Sequence, residues 1–189
     1  MTTTEQRDVV DLLLHQHEQI KALLNQIAGA SGAQKRERFE ELVRLLAVHE
    51  SAEEQLVHPP ARRKIDNGEQ VVGSRLQEEH QAKHALAELY DLGVDHPDFD
   101  NRFAAFAEAV VQHADREERE EFQRMREQFP AEQLKTMAKT VQAAESIAPT
   151  RPHPALGESP TTNLLAGPPL SVFDRVRDKM RDWRESRQG

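Results

Sequence analysis

The sequence predicts an all-α protein: an antiparallel four-helix bundle with a short extra helix and a Pro-rich tail that ends in an amphipathic helix. Three observations predict this class. Apolar residues recur at helical spacing in four long stretches, the alternation typical of strands is absent, and the ten prolines fall at the boundaries of those stretches or in the tail. Proline breaks a helix interior, so the proline-free stretches can form long helices, which pack as an antiparallel bundle when their connections are short.

Turn and breaker residues bound the first two helices. Helix one is predicted over residues 5–28, because the glycine-containing segment 29–32 that follows it favours a turn. Helix two is predicted over residues 35–58 and is expected to stop at Pro59 and Pro60, which cannot continue a helix interior.

The remaining helices follow from the same signals. An Asn-Gly turn at 67–68 precedes helix three, which is predicted over residues 70–92, and a loop separates it from helix four, predicted over residues 99–128. A fifth, shorter helix is predicted over residues 130–146, because proline is tolerated in the first helical turn.

The chain is predicted to divide into a bundle at 1–148, a Pro-rich linker at 149–169 and an amphipathic C-terminal helix at 170–189. Six of the ten prolines lie in the linker. Set on a helix, residues 170–187 place their apolar side chains within one arc of about 100°, with basic residues at its edges. This arrangement suits three alternatives: packing onto the chain's own core, docking to a protein partner, or weak contact with an anionic membrane surface.

Composition excludes several classes of function. The chain has no cysteine, which excludes disulfides, thiolate metal sites and thiol catalysis. Its net charge of −8 is unsuited to neutralising phosphates, so we expect no nucleic-acid partner. No apolar run is long enough for a transmembrane segment, and the N-terminus lacks the pattern of a secretory signal. We therefore expect a cytoplasmic protein, and we expect it to be a monomer.

The nine histidines are the unusual feature of the sequence, because eight of them fall within the first 113 residues. On helix one, His17 lies in the middle of the apolar stripe, between Leu13 and Ile20 at helical offsets. His15 has polar residues at the same offsets. Two positions are about 200° apart around a helix, so only His17 is predicted to face the core.

Helices two and four each carry a His-x-x-x-Glu pair on the predicted inner face. His49 shares its stripe with apolar residues, and Glu53 follows one turn later; His113 and Glu117 repeat the arrangement. A buried carboxylate is costly unless it is paired. His58 lies nine residues beyond His49, about 180° around a regular helix, and is therefore predicted to face elsewhere.

On helix three, His80 and His84 are four residues apart and are predicted to face inward together with Leu76. The complete set of candidate metal ligands is His17, His49, Glu53, His80, His84, His113 and Glu117. Seven nitrogen and oxygen ligands exceed one tetrahedral zinc and suit two cations that share carboxylates. A donor set without sulfur favours iron, with manganese, zinc or copper as alternatives.

This ordered pattern resembles the hemerythrin family, in its bacterial HHE cation-binding branch, over roughly residues 8–130. The motifs that carry the resemblance are His17, His49-x-x-x-Glu53-Glu54, His80-x-x-x-His84 and His113-x-x-x-Glu117. The resemblance implies two non-haem iron ions bridged by an oxo or hydroxo group. Where relatives often have an aromatic residue before the proline that ends helix two, this chain has His58.

The resemblance also implies how the ligands divide between the irons. His80, His84 and His113 would hold one iron, His17 and His49 the other, and Glu53 and Glu117 would bridge them. The family's bridging acid on helix four can lie one residue later, so Glu118 is an alternative to Glu117.

Three functions remain open from the sequence. The iron with two imidazoles would have an open position, where dioxygen, nitric oxide or peroxide would bind. The leading hypothesis is reversible binding of such a ligand, for oxygen binding, storage or sensing. The alternatives are a di-iron enzyme that consumes peroxide or nitric oxide, and an iron-responsive module that binds a partner. The sequence leaves open whether the protein is an enzyme.

Overall fold

The computed structural model describes residues 7–147 and confirms the predicted all-α bundle. These residues contain no strand. The helices are α1 (Val9–Gly29), α2 (Gly32–Ala52), α3 (His58–Lys64), α4 (Gly68–Leu92), α5 (Phe99–Glu117), α6 (Gln123–Gln128) and α7 (Ala131–Ile147). The Pro-rich linker and the C-terminal amphipathic helix predicted beyond residue 148 lie outside the described residues.

Two of the long helices contain π-helical segments. Glu53–Val57 joins α2 to α3, and Glu118–Phe122 joins α5 to α6. A π-helix has i→i+5 hydrogen bonds in place of i→i+4, so a single π-turn inserts one residue into an otherwise regular helix. The first segment begins at Glu53, and the second directly follows Glu117 and contains Glu121. All three are acidic residues of the candidate site.

The predicted stop of helix two at Pro59 and Pro60 is wrong. The chain continues through the π-helical segment into α3, which ends at Lys64. The two prolines lie in the first turn of α3. A missing N–H and a fixed φ are tolerated there, so the prolines mark a helix start rather than a stop.

The start of α1 is fixed by a reciprocal capping box. The Asp8 carboxylate accepts a hydrogen bond from the Asp11 backbone N–H at 2.9 Å, and the Asp11 carboxylate accepts one from the Asp8 backbone N–H at 3.2 Å. Capping of this kind satisfies donors that a helix N-terminus leaves free. It places the first residue of α1 at Val9, four residues after the predicted start.

Two apolar clusters fill the bundle, one towards each end. The first contains Val10 and Leu13 of α1, with residues of α3, α4, α6 and α7. The second contains Ile20 and Leu24 of α1, with residues of α2, α4 and α5. Helices α1, α2 and α4 pass from one cluster to the other, and α5 reaches the first cluster through the π-helical segment that follows it. On each of these four, buried polar residues separate the two clusters. A buried polar layer therefore crosses the middle of the bundle.

The fifth predicted helix is confirmed as α7. It packs against α1 and buries Leu134, Met137, Ala138 and Val141 in the first apolar cluster. Among the described residues, no helix is both long enough and apolar enough to cross a membrane.

Candidate metal centre

The buried polar layer is built from all four long helical segments of the bundle. Its acidic and imidazole members are less than 9% exposed, and Glu53, Glu117 and Glu121 are completely buried. The buried polar residues of this layer are Gln16, His17, His49, Glu50, Glu53, His58, Arg75, Glu79, Lys83, Glu117 and Glu121. Such a concentration of charge in a core requires compensation.

One group of potential ligands consists of His17, His49, Glu53 and Glu117, whose ligand atoms all lie within 4.8 Å of one another. His17 Nε2 lies 3.4 Å from Glu117 Oε2. His49 Nε2 lies 3.3 Å from Glu53 Oε2 and 3.1 Å from His17 Nε2. These four residues are all among those predicted from the sequence.

A second group of ligands consists of Glu53, His58, Glu79 and Glu117, again within 4.8 Å of one another. His58 Nε2 lies 2.7 Å from Glu79 Oε1 and 4.0 Å from Glu117 Oε1. Glu53 and Glu117 belong to both groups. These two carboxylates are therefore within reach of the ligand atoms of both groups.

The four core imidazoles share one orientation: each Nδ1 is held by an acceptor outside the two groups, and each Nε2 lies near an inner carboxylate. The Nδ1 pairs are His17–Glu118 at 2.9 Å, His49–Gln16 at 2.7 Å, His58–Glu121 at 2.9 Å and His113–Glu78 at 3.0 Å. An Nδ1 that donates to such an acceptor leaves the Nε2 lone pair available for a metal. The pattern is the one that metal-ligating histidines show.

Several carboxylate oxygens of the layer have no hydrogen-bond partner among the described residues. They are both oxygens of Glu53, both oxygens of Glu117, and Oε2 of Glu50, of Glu79 and of Glu121. A buried polar group without a partner costs about 1–3 kcal/mol, and more when it is charged. The four unpartnered oxygens of Glu53 and Glu117 belong to the two residues that both ligand groups share, so the residues present fit a pair of cations.

The pKa shifts agree with a site that exchanges protons for cations. Burial and the nearby Glu117 raise the pKa of Glu53 well above its ordinary value. Burial and the nearby His17 lower the pKa of His49 well below its ordinary value, which keeps this imidazole neutral. Burial opposes ionisation of Glu117, but His17 and His113 outweigh it and lower the pKa of this carboxyl. A metal competes with protons for such groups.

His113 lies beside the two groups rather than within them. Its Nε2 is 3.7 Å from Glu117 Oε2, and its Nδ1 is held by Glu78. Glu118, the alternative bridging acid, lies instead on the outer side of His17, where its Oε1 accepts from Nδ1. The structure thus brings Glu117 to the meeting point of the two groups, while Glu118 fixes the orientation of an imidazole.

The structure does not bring His80 and His84 to this layer, and their predicted inward orientation is wrong. Both are exposed, and their Nε2 atoms lie 3.1 Å from each other. The inner face of α4 carries Val72, Glu79 and Leu86, which are seven residues apart and therefore lie almost in line along the helix. His80 is about 100° away from that line. The heptad spacing from Val72 to Leu86 is the sequence signal that could have identified Glu79.

The prediction that His58 faces away from the site is also wrong. His58 is 2% exposed and lies in the second group of ligands. The cause is the π-helical segment between His49 and His58, because one inserted residue rotates everything after it by about 100° relative to a regular helix. No pattern of apolar residues in the sequence indicated this segment.

A buried ammonium group borders the second group of ligands. Lys83 Nζ lies 3.4 Å from Glu50 Oε2 and 3.8 Å from Glu79 Oε2, and it also contacts Glu54. Burial raises the pKa of Glu50 to about 8, although Lys83 opposes this shift. Sequence reasoning missed Lys83, because a lysine between apolar residues of α4 is usually assigned to the surface.

A cleft of about 410 Å³, measured out to solvent, opens beside the first group of ligands. His17, His49 and His113 reach it from one side of the layer. Ile20, Leu46, Ala82, Val110 and Ala114 form the apolar part of its wall, and Lys21, Glu50 and Glu79 form the charged part. The cleft therefore gives a small molecule a route to the imidazole-rich side of the site.

Comparison with known proteins assigns the family. The model of the hemerythrin HHE cation binding domain matches residues 8–125, which is more than half of the chain. The chain belongs to the hemerythrin HHE cation-binding domain family. The match covers every helix that contributes to the two groups of ligands, and the family's cation binding agrees with the buried clusters of histidine and glutamate.

Two relatives extend this assignment. The crystal structure of a hemerythrin HHE cation binding domain-containing protein from Mycobacterium kansasii superposes with a TM-score of 0.66 at 22% identity, over 74% of this chain and 86% of that one. A protein of Nostoc sp. described as a DNA nickase is 24% identical over 140 residues, which are 74% of this chain. The chain spans only 39% of the length of that relative. The structural likeness shows that the HHE helical bundle is shared.

Proposed function

We propose that this chain is a non-haem di-iron protein that binds a small ligand, namely dioxygen, nitric oxide or peroxide. The observation that supports this most strongly is the pair of four-residue groups that share Glu53 and Glu117. Two shared carboxylates between two sets of terminal ligands suit two cations rather than one. The absence of cysteine and the mixture of imidazole and carboxylate favour iron within a family that binds cations.

The residues divide between the two cations as follows in this proposal. His17 and His49 would hold the first cation, His58 and Glu79 would hold the second, and Glu53 and Glu117 would be shared between them. A reduced iron pair would supply electrons to an oxygen-containing ligand. The chain itself supplies Nε2 atoms held in place by their Nδ1 partners, and a partly apolar cleft that admits a small molecule.

The first cation is the better candidate for the open position. Both of its terminal imidazoles, His17 and His49, line the cleft, whereas of the two terminal ligands of the second cation only Glu79 does. His113 lies at the cleft, with Nδ1 held by Glu78, so its Nε2 is placed to complete the first cation or to contact a bound ligand.

The structure also favours a second candidate function, consumption of peroxide by the same centre. The terminal ligands of the second cation are His58 and Glu79 rather than the two helix-three histidines that the resemblance implied. An anionic oxygen ligand stabilises a more highly charged iron better than an imidazole does. The centre is therefore better suited to redox turnover than an imidazole-rich carrier site.

Anaerobic reconstitution of the full chain with ferrous iron tests both functions. We expect two irons per chain and, after addition of oxygen, charge-transfer absorption typical of a bridged ferric pair. Reversal of the spectrum on removal of oxygen would support the binding function, whereas repeated decomposition of added peroxide would support the enzyme. One tightly bound zinc per chain, with no absorption after iron loading, would contradict the di-iron proposal.

A further inference from the structure

A chain of hydrogen bonds connects His49 to α7, a helix that contributes no candidate metal ligand. His49 Nδ1 lies 2.7 Å from Gln16 Oε1, and Gln16 Nε2 lies 2.5 Å from Glu145 Oε1. Gln16 is 6% exposed and lies next to His17 on α1. The three residues come from three different helices, α1, α2 and α7.

The chemistry of the three groups fixes the direction of both hydrogen bonds. An ionised carboxylate can only accept, so Glu145 requires the NH₂ end of the Gln16 amide to point towards it. The carbonyl end of the amide must then face His49. A carbonyl oxygen can only accept, so Nδ1 of His49 carries the proton and Nε2 presents its lone pair to the metal side.

His49 differs in this respect from the other three core histidines. His17, His58 and His113 donate from Nδ1 directly to a carboxylate. At His49 the acceptor is a neutral amide, and the carboxylate stands one residue further away, on α7. Without Glu145, the Gln16 amide could present either its oxygen or its NH₂ group to His49, because its terminal group can rotate. The Glu145 carboxylate excludes the orientation in which the NH₂ group faces His49.

We propose that Gln16 and Glu145 are positioning residues of the metal centre, through which α7 fixes the tautomer and ring orientation of His49. This inference rests on the proposed function, because it assigns to His49 the role of a ligand of the first cation. It gives α7 a function beyond covering the first apolar cluster. The loss of partners that orient a metal-binding histidine typically costs tenfold to a hundredfold in metal affinity.

A charge-exchange experiment tests the inference with cobalt(II) as the only probe. The full chain carries Gln16→Glu alone, Glu145→Gln alone, or both substitutions together. In the single Gln16→Glu variant two carboxylates face each other, and we expect about tenfold to a hundredfold weaker cobalt binding at one of the two sites. The double variant again pairs one carboxylate with one amide, and we expect it to recover most of the lost affinity.

The control is Glu132→Gln, which removes the same charge from an exposed position of the same helix, where Glu132 pairs with Lys135. We expect this variant to bind cobalt like the wild type. The ligand-field absorption of bound cobalt provides a second readout, because a change in the orientation of His49 alters the band shape even at saturation. A purely structural role for Gln16 would lower thermal stability without altering that spectrum.

The outcomes separate this inference from the proposed function. Wild-type protein that binds no cobalt and no iron would overturn both. Wild-type protein that binds two cations, together with a Gln16→Glu variant of unchanged affinity and spectrum, would overturn the inference alone. A double variant as weak as Gln16→Glu would also overturn it, because restored pairing would then have no effect on the metal.

Discussion

Replacement of Glu53 by glutamine should make the metal-free bundle more stable and at the same time reduce its ability to bind metal. Both oxygens of Glu53 are buried without a hydrogen-bond partner, and the pKa of this carboxyl is raised well above its ordinary value, first by burial and then by Glu117. A glutamine of nearly the same shape has no charge to bury, and its NH₂ group can donate to an unpartnered oxygen of Glu117. We therefore expect the metal-free Glu53→Gln variant to be more stable than the wild type.

The direction of the pKa shift of Glu53 determines how this difference in stability changes with pH. A carboxyl whose pKa is raised in the folded state binds its proton more tightly there, so its contribution to stability is largest below the unfolded pKa. That contribution is lost as the pH rises towards the folded pKa. At neutral pH the wild type has begun to lose it, whereas glutamine has no such dependence. The advantage of Glu53→Gln should accordingly increase from pH 4 to pH 7.

The magnitude follows from the buried oxygens. An unsatisfied buried polar group costs about 1–3 kcal/mol, and this is the gain expected for the metal-free variant at neutral pH. It corresponds to a rise in Tm of roughly 2–10 °C for a domain of this size. The same variant loses a bridging ligand of both cations. Wild-type protein at a metal concentration of a hundred times Kd gains about 2.7 kcal/mol from binding, and the variant should gain almost none of it.

The assay is thermal or urea unfolding of both proteins, with and without excess ferrous iron under anaerobic conditions. The variant should be the more stable protein without iron and the less responsive one with iron. Glu69→Gln provides the control, because Glu69 is exposed and pairs with the exposed Arg62. A Glu53→Gln protein that is less stable without metal, and that still takes up two irons, would refute the assignment of Glu53 as a buried bridging carboxylate.

Three further outcomes are expected. Imidazoles must be neutral to bind a metal, so iron should be released on acidification to roughly pH 5 or below. Metal analysis after desalting would show this release, and retention of both irons at pH 4 would contradict imidazole ligation. Substitution of His58 or Glu79 by alanine should reduce the iron content towards one per chain, whereas substitution of His80 or His84 should leave it at two; the reverse result would favour the ligand set that the family resemblance implied. Truncation after Ala148 should leave iron content unchanged, and a loss of iron would show that the segment beyond it supports the bundle.

The sequence was sufficient for the fold because three of the four long helices carry apolar residues on both sides of their buried polar ones. His17 is flanked by Leu13 and Ile20, and His113 is preceded by Val110 and followed by Ala114. On these helices the apolar stripe determines which polar residue faces inward, and the structure agrees.

Helix α4 shows why the remaining residues of the candidate site could not be predicted from the apolar pattern. Between Val72 and Leu86 its inner face carries Arg75, Glu79 and Lys83, all of them charged. A charged stripe usually indicates a solvent-exposed face, so the apolar pattern is interrupted where the site lies. His58 escaped prediction for a different reason, since a π-turn changes the angular position of a residue without any change in composition.

The buried polar layer between the two apolar clusters also has a consequence for the lifetime of the protein. Without a cation, the unpartnered carboxylates of this layer are costly to bury, and we expect local opening of the bundle to begin there. Proteases cut locally opened states at rates set by how often those states occur. Newly made chains should therefore be degraded fastest when iron is scarce, so that the amount of the protein follows the supply of the metal it would hold.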